Sequence, residues 1–135
     1  MNNTSLVIGS NESVLEGIAQ ALATAGHRAH VARSVAEAVA VLTEIQPLVV
    51  VVDRGCAADA EFMHLRLPPG CALVLYRLDD REPPALPTPI QRLTLADLVM
   101  PWERQRLITV VQRLTERAVA TGRARPNSPP EDRAV

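Results

Sequence analysis

Apolar positions along the chain recur with two different periods, and the alternation between those periods predicts a series of strands and helices. Residues Ser5 to Ile8 form a short apolar run that ends at Gly9, Ser10 and Asn11, residue types that turn the chain and cap helices. From Glu12 onward Val14, Leu15, Ile18, Leu22 and Ala25 return at helical spacing, with Gly26 where a left-handed C-terminal cap belongs. A strand followed by a helix over Glu12 to Ala25 is predicted. His27 to Ala32 reads as a second strand of weak alternation. Ser34 and Glu37 then have capping-box spacing, and Val35, Ala38, Val39, Leu42 and Ile45 form a second helical stripe that stops at Pro47.

The run from Leu48 to Val52 is apolar at every position, four of its five residues being valine, which is the pattern of a strand buried on both faces. It ends at Asp53. A short helix is predicted around Asp59 to Leu67, before Pro68-Pro69-Gly70, and Ala72 to Tyr76 forms another apolar strand. Residues Arg77 to Pro89 hold prolines at 83, 84, 87 and 89, which remove amide donors and oppose helical geometry, so a loop or broken helix is expected. A last strand near Asp97 to Met100 leads through Pro101 into a long helix whose Leu107, Ile108, Val111, Leu114 and Ala118 keep one apolar face. After Thr121-Gly122 the polar, proline-rich RARPNSPPEDRAV cannot bury enough surface to fold, and reads as a tail or the start of a linker. Alternating strands and helices around a central all-apolar strand predict an α/β domain with a parallel sheet of order 2-1-3-4-5, covered by helices on both faces. Functional groups then gather at the carboxyl ends of the strands, at Gly9 to Glu12, Asp53, Tyr76 to Arg77 and Met100.

Composition narrows the chemistry. At 135 residues the chain suits one domain with a real core. Its formal net charge of −1 and aromatic content of 2% give neither a field for a polyanion nor rings on which bases stack, so nucleic-acid binding by this chain is not expected. No stretch of about 18 apolar residues exists and the N-terminus lacks the pattern of a secretion signal, so no membrane contact and a cytoplasmic location are expected. All 14 basic residues are arginine, which excludes any mechanism that needs a side-chain amine. Cys56 and Cys71, at a spacing that suits neither a metal knuckle nor a redox pair, read as buried free thiols.

Asp53 at the end of VVVVD, and Met100-Pro101-Trp102 followed by Leu107, Ile108, Val111 and Leu114, resemble the response-regulator receiver family over roughly residues 4 to 119. The resemblance implies a flavodoxin-like three-layer sandwich with Asp53 at the phosphoacceptor position, an irregular proline-rich fourth crossover, and a tail over 120–135 outside the domain. The departures from the family are more informative. Receivers hold magnesium on an acidic pair after the first strand, where Gly9 and Ser10 stand here, and Glu12 nearby reads better as an acid favoured at a helix N-terminus. Met100 occupies the place of the family's lysine, Tyr76 that of its strand-four hydroxyl, and Asp97 that of its switch aromatic. Asp53 is therefore expected to be a structural acid, paired with Arg54 or Arg77 and bonded to nearby amides, in a site that has lost its phosphoryl chemistry.

The other candidates carry plainer readings. Gly9-Ser10-Asn11 lacks the glycine pattern of a nucleotide-binding loop, so capping is preferred to anion binding. His64 reads as a helix-surface residue, His27 and His30 have no ligand at metal spacing, and Asp79 to Glu82 is a solvated charge run. The expected function is an atypical receiver in two-component signalling. It is not an enzyme, holds no cofactor or metal, and acts through contacts with a sensor kinase, an output domain or a second copy through the last helix. One alternative is a conventional receiver phosphorylated on Asp53, with magnesium held partly by Glu12. Another is a domain that binds a small ligand or anion on the amides of residues 9–12.

Overall fold

The computed structural model describes residues 4–78, 85–100 and 103–121. The proline cluster at 83 and 84, the charge run from Asp79, Pro101-Trp102 and the tail from 122 lie outside the described residues.

Five parallel strands, β1 Thr4–Ile8, β2 Arg28–Ala32, β3 Val49–Asp53, β4 Ala72–Arg77 and β5 Thr94–Val99, form one sheet of order β2-β1-β3-β4-β5, the predicted topology. Val49 to Val52 are wholly buried, because β3 has a neighbour on each edge and helices on each face. Val50 and Val52 point to one core with Ala38, Ala57, Phe62 and Ile90, while Val49 and Val51 point to the other with Leu15, Ile18, Leu22, Leu107 and Val111. This two-fold alternation decides the geometry of the candidate site.

Helix α1 spans Glu12–Thr24, and the Val14 amide donates to the Asn11 side chain at 3.2 Å, leaving Leu15, Ile18 and Leu22 on the buried face. Gly26 ends it at φ 90°, a backbone state that a side chain would oppose. Helix α2, Val35–Leu42, starts where the Glu37 amide donates to Ser34 Oγ at 3.1 Å, while Glu37 Oε1 accepts from the Arg33 amide at 3.0 Å. It stops earlier than its apolar stripe suggests. The Thr43 and Glu44 amides turn back to Ala40 and Val41, tightening the last turn ahead of Pro47.

Two expectations need correction. The helix placed over 59–67 is two short pieces, α3 at Arg54–Ala57 and a 3-10 turn at Ala60–His64. Asp53 and Asp59 each accept from the amide two residues on, at 2.7 and 2.9 Å, so the chain restarts its helix within a few residues. The segment read as a loop or broken helix leads into a short helix α4, Thr88–Leu93, in keeping with that expectation, because Pro89 stands in its first turn, where no amide donor is needed. Strand β5 begins at Thr94, ahead of the predicted Asp97, through a register shift opposite Leu73 and Val74. The last helix, α5, runs over Arg104–Thr121 with Leu107 and Val111 buried, as its stripe predicts.

Candidate functional site at the carboxyl end of the sheet

Strand alternation sorts the candidate residues onto two faces. Asp53 stands opposite Tyr76 in the β3–β4 register, and Tyr76 belongs to the core under α1 and α5. Arg77 is one residue further and so turns to the other face, where Leu75 stands in register with Asp97. Sequence proximity pointed to a pairing of Asp53 with Arg54 or Arg77, and the described ion pairs correct it. Arg54 Nη1 pairs with Asp97 Oδ2, 43 residues away, joining the start of α3 to β5. Asp53 uses its Oδ1 to cap α3 through the Gly55 amide. This is the amide contact expected of a structural acid.

Tyr76 is fully buried, and its hydroxyl has no hydrogen-bond partner among the described residues. Burial, then the nearby charge of Asp53, then Cys56, push its phenol well above the ordinary tyrosine range, so the hydroxyl stays neutral. The ring reaches across to β1. A Cβ placed on Gly9 would run into the Tyr76 hydroxyl oxygen and stand 3.3 Å from Tyr76 Cζ and 3.1 Å from Leu15 Cδ2. Gly9 has no positive φ, so space rather than backbone conformation calls for glycine here. Sequence reasoning missed this contact, although glycine after β1 and an oversized aromatic near the end of β4 were both visible.

The remaining positions are equally occupied. Ser10 is exposed, and the Glu12 carboxylate lies 3.3 Å from Arg33 Nε, which turns it towards the end of β2. Met100 is buried in the core beside Leu107 and Val111, its amide donating to the Arg77 carbonyl at 2.7 Å. Arg77 Nε and Asp97 Oδ1 are buried without hydrogen-bond partners among the described residues. Asn11, by taking the Val14 amide, uses a donor that an anion on α1 would need. Burial pushes the thiols of both free cysteines up, Cys71 to about 12. They are half-buried rather than fully enclosed, and His64 is exposed, as expected.

No protein-family model and no curated protein matches the sequence. Solved structures do. The N-terminal domain of a response regulator/sensory box/GGDEF three-domain protein from Carboxydothermus hydrogenoformans is 17% identical, with 87% of this chain covering 98% of that one at a TM-score of 0.67. A CheY-like receiver domain from Methylobacillus flagellatus is 15% identical, with 84% and 99% covered and a TM-score of 0.68. The signal receiver domain of an HD domain-containing protein from Pseudomonas fluorescens is 16% identical, with 89% and 99% covered and a TM-score of 0.64. The chain thus has the fold of a response-regulator receiver domain, of the flavodoxin-like α/β class.

Receivers of this fold use magnesium, which demands near-octahedral oxygen ligands and usually takes one or two carboxylates. The residues here do not fit it. Gly9 and Ser10 bring no carboxylate, Glu12 is drawn to Arg33, and the phenol of Tyr76 stands over Gly9. Among the described residues no group of three acids, histidines or cysteines is placed to hold a metal ion. Nor is any described helix long and apolar enough to cross a membrane.

Proposed function

We propose that the chain is an atypical receiver of two-component-type signalling, working through protein–protein contacts, with phosphorylation of Asp53 absent or vestigial. The observation that carries this reading is the Tyr76 hydroxyl seated over Gly9. A phosphoryl group arriving at Asp53 would bring negative charge beside a buried neutral phenol, with the apolar Met100 where a cation is needed. Arg54 is engaged by Asp97, and the strand alternation turns Arg77 to the opposite face. Loss of one preorganised donor costs about 100-fold or more in rate, and here several are missing together. Partners of such a module are proteins: a sensor kinase, an output domain, or a second copy meeting it through α5.

Incubation with magnesium and acetyl phosphate, followed by intact mass measurement, tests the reading. The protein is expected to stay unmodified. A mass increase of one phosphoryl group that Asp53→Asn abolishes would establish a conventional phosphoacceptor instead.

A further inference from the structure

Helices α1 and α5 pack side by side against the sheet, and two adjoining cavities of about 210 and about 390 Å³ open between them. Gly17 and Arg104 line both, so the two form one groove, together within the size of small-molecule sites, roughly 300–1,000 Å³. Its two ends differ in chemistry. Val14, Ile18 and Met100 wall the first cavity with apolar surface, and the methionine side chain adapts to irregular shapes. Gln20, Thr24 and Gln105 bring amides and a hydroxyl to the second.

Gly17 has no packing reason to be glycine. It stands in the interior of α1 without a positive φ, and a Cβ placed on it would meet no neighbouring atom within 4 Å. In a helix interior glycine is less favourable than alanine, because it gives up more freedom on folding. The helix thus accepts a loss that its own packing does not require, and the missing side chain leaves open the stretch of groove that both cavities share. Arg104 is the one charged residue among the described residues that line the groove, and its side chain has no ion pair among the described residues. The acids of both helices near it are engaged elsewhere. Glu103 accepts from the Val99 amide and pairs with Arg106, each at 2.8 Å, while Glu12 pairs with Arg33 at 3.3 Å and Glu16 adds its charge to that same guanidinium.

We propose that the groove between α1 and α5 binds a small amphipathic monocarboxylate, its apolar tail lying over Gly17 against Val14, Ile18 and Met100 and its carboxylate on Arg104. One guanidinium matches one negative charge, and its parallel N–H donors take both oxygens of a carboxylate. The neutral donors of Gln20, Thr24 and Gln105 are placed to meet further polar groups beyond the carboxylate. The groove shares only Met100 with the residues at the carboxyl end of the sheet, so the proposal holds whether or not Asp53 takes up a phosphoryl group.

Titration of the isotope-labelled full chain with octanoate near neutral pH, followed by NMR at the amides of residues 13–21 and 104–108, tests this directly. Saturable shifts at these amides with half-saturation at or below about 1 mM are expected. Octylammonium, with the same tail and the opposite charge, should bind at least about tenfold more weakly. Arg104→Gln, a change at an exposed side chain, should weaken octanoate about three- to tenfold. Gly17→Leu sends its side chain into the open groove and should abolish saturation, while the thermal midpoint stays level or rises. Octylammonium binding as tightly as octanoate, an unchanged affinity in Arg104→Gln, saturable binding retained in folded Gly17→Leu, or no saturation by about 10 mM would each overturn the proposal. The octylammonium and Arg104→Gln comparisons decide it even if Gly17→Leu fails to fold.

Discussion

Gly9→Ala should destabilise the domain, and Tyr76→Phe should remove most of that cost. At a glycine with ordinary φ, alanine normally stabilises by about 0.4–1 kcal/mol, because it restricts the unfolded chain. Position 9 reverses the sign, since the added methyl meets the Tyr76 hydroxyl oxygen inside a packed core, where overpacking costs about 1–3 kcal/mol. Tyr76→Phe alone deletes a buried hydroxyl with no partner among the described residues and is expected to be stabilising, by up to about 1–3 kcal/mol. In the double variant the methyl meets only ring carbon and Leu15 Cδ2, at 3.3 and 3.1 Å, contacts that relax by a few tenths of an ångström. Gly9→Ala then becomes nearly neutral. The coupling energy from a double-mutant cycle, measured by urea denaturation with unchanged slopes, should be about 1–2 kcal/mol. Additivity within about 0.5 kcal/mol would show that the phenol does not occupy the space over Gly9.

The other expectations are briefer. Asp53→Asn should cost less than about 1 kcal/mol, because asparagine caps a helix as well as aspartate, whereas Asp53→Ala should cost about 0.5–2 kcal/mol in the same denaturation assay. Arg54→Ala strands the Asp97 carboxylate, and with the pair's side chains 16% and 29% exposed the loss should be about 1–3 kcal/mol; replacing both members of the pair at once, Arg54→Met with Asp97→Leu, should recover most of it. Folded His27 binds fewer protons than the unfolded ring, so its contribution to stability is complete above 6.5 and declines as the pH falls below that value, a slope that His27→Gln should reduce in equilibrium unfolding. Cys71, its thiol pushed up to about 12, should react with a thiol reagent near pH 8 far more slowly than in the unfolded chain.

Much of the fold was legible because burial leaves a periodic mark. The four valines of β3, the stripes of α1 and α5, and the Ser34–Glu37 cap each predict an element that the structure contains. Local competition was harder to read. Asp53 and Asp59 look like ordinary residues before one helix, yet each takes a nearby amide and the helix breaks in two. Pro87 and Pro89 suggest a loop or broken helix without saying where helix resumes, and it resumes at Thr88, with Pro89 where a helix tolerates proline. At the site, the residue types were visible in sequence but their pairings were not. Proximity in the chain pointed Arg54 and Arg77 towards Asp53, whereas the pleat sends Arg77 to the other face and delivers Asp97 to Arg54 from a strand 43 residues away. The Tyr76–Gly9 and His27–Thr115 contacts likewise join residues far apart in the chain, and only the parallel topology brings them together.

With Tyr76 seated over Gly9, the carboxyl end of the sheet is proposed to accept neither a metal ion nor a phosphoryl group. Magnesium titration of the labelled protein, read at the amides of Gly9, Ser10, Asp53 and Gly55, tests it most directly. Small, non-saturating shifts no larger than those of exposed surface amides are expected. Saturable shifts confined to these four amides, and lost in Asp53→Asn, would contradict it.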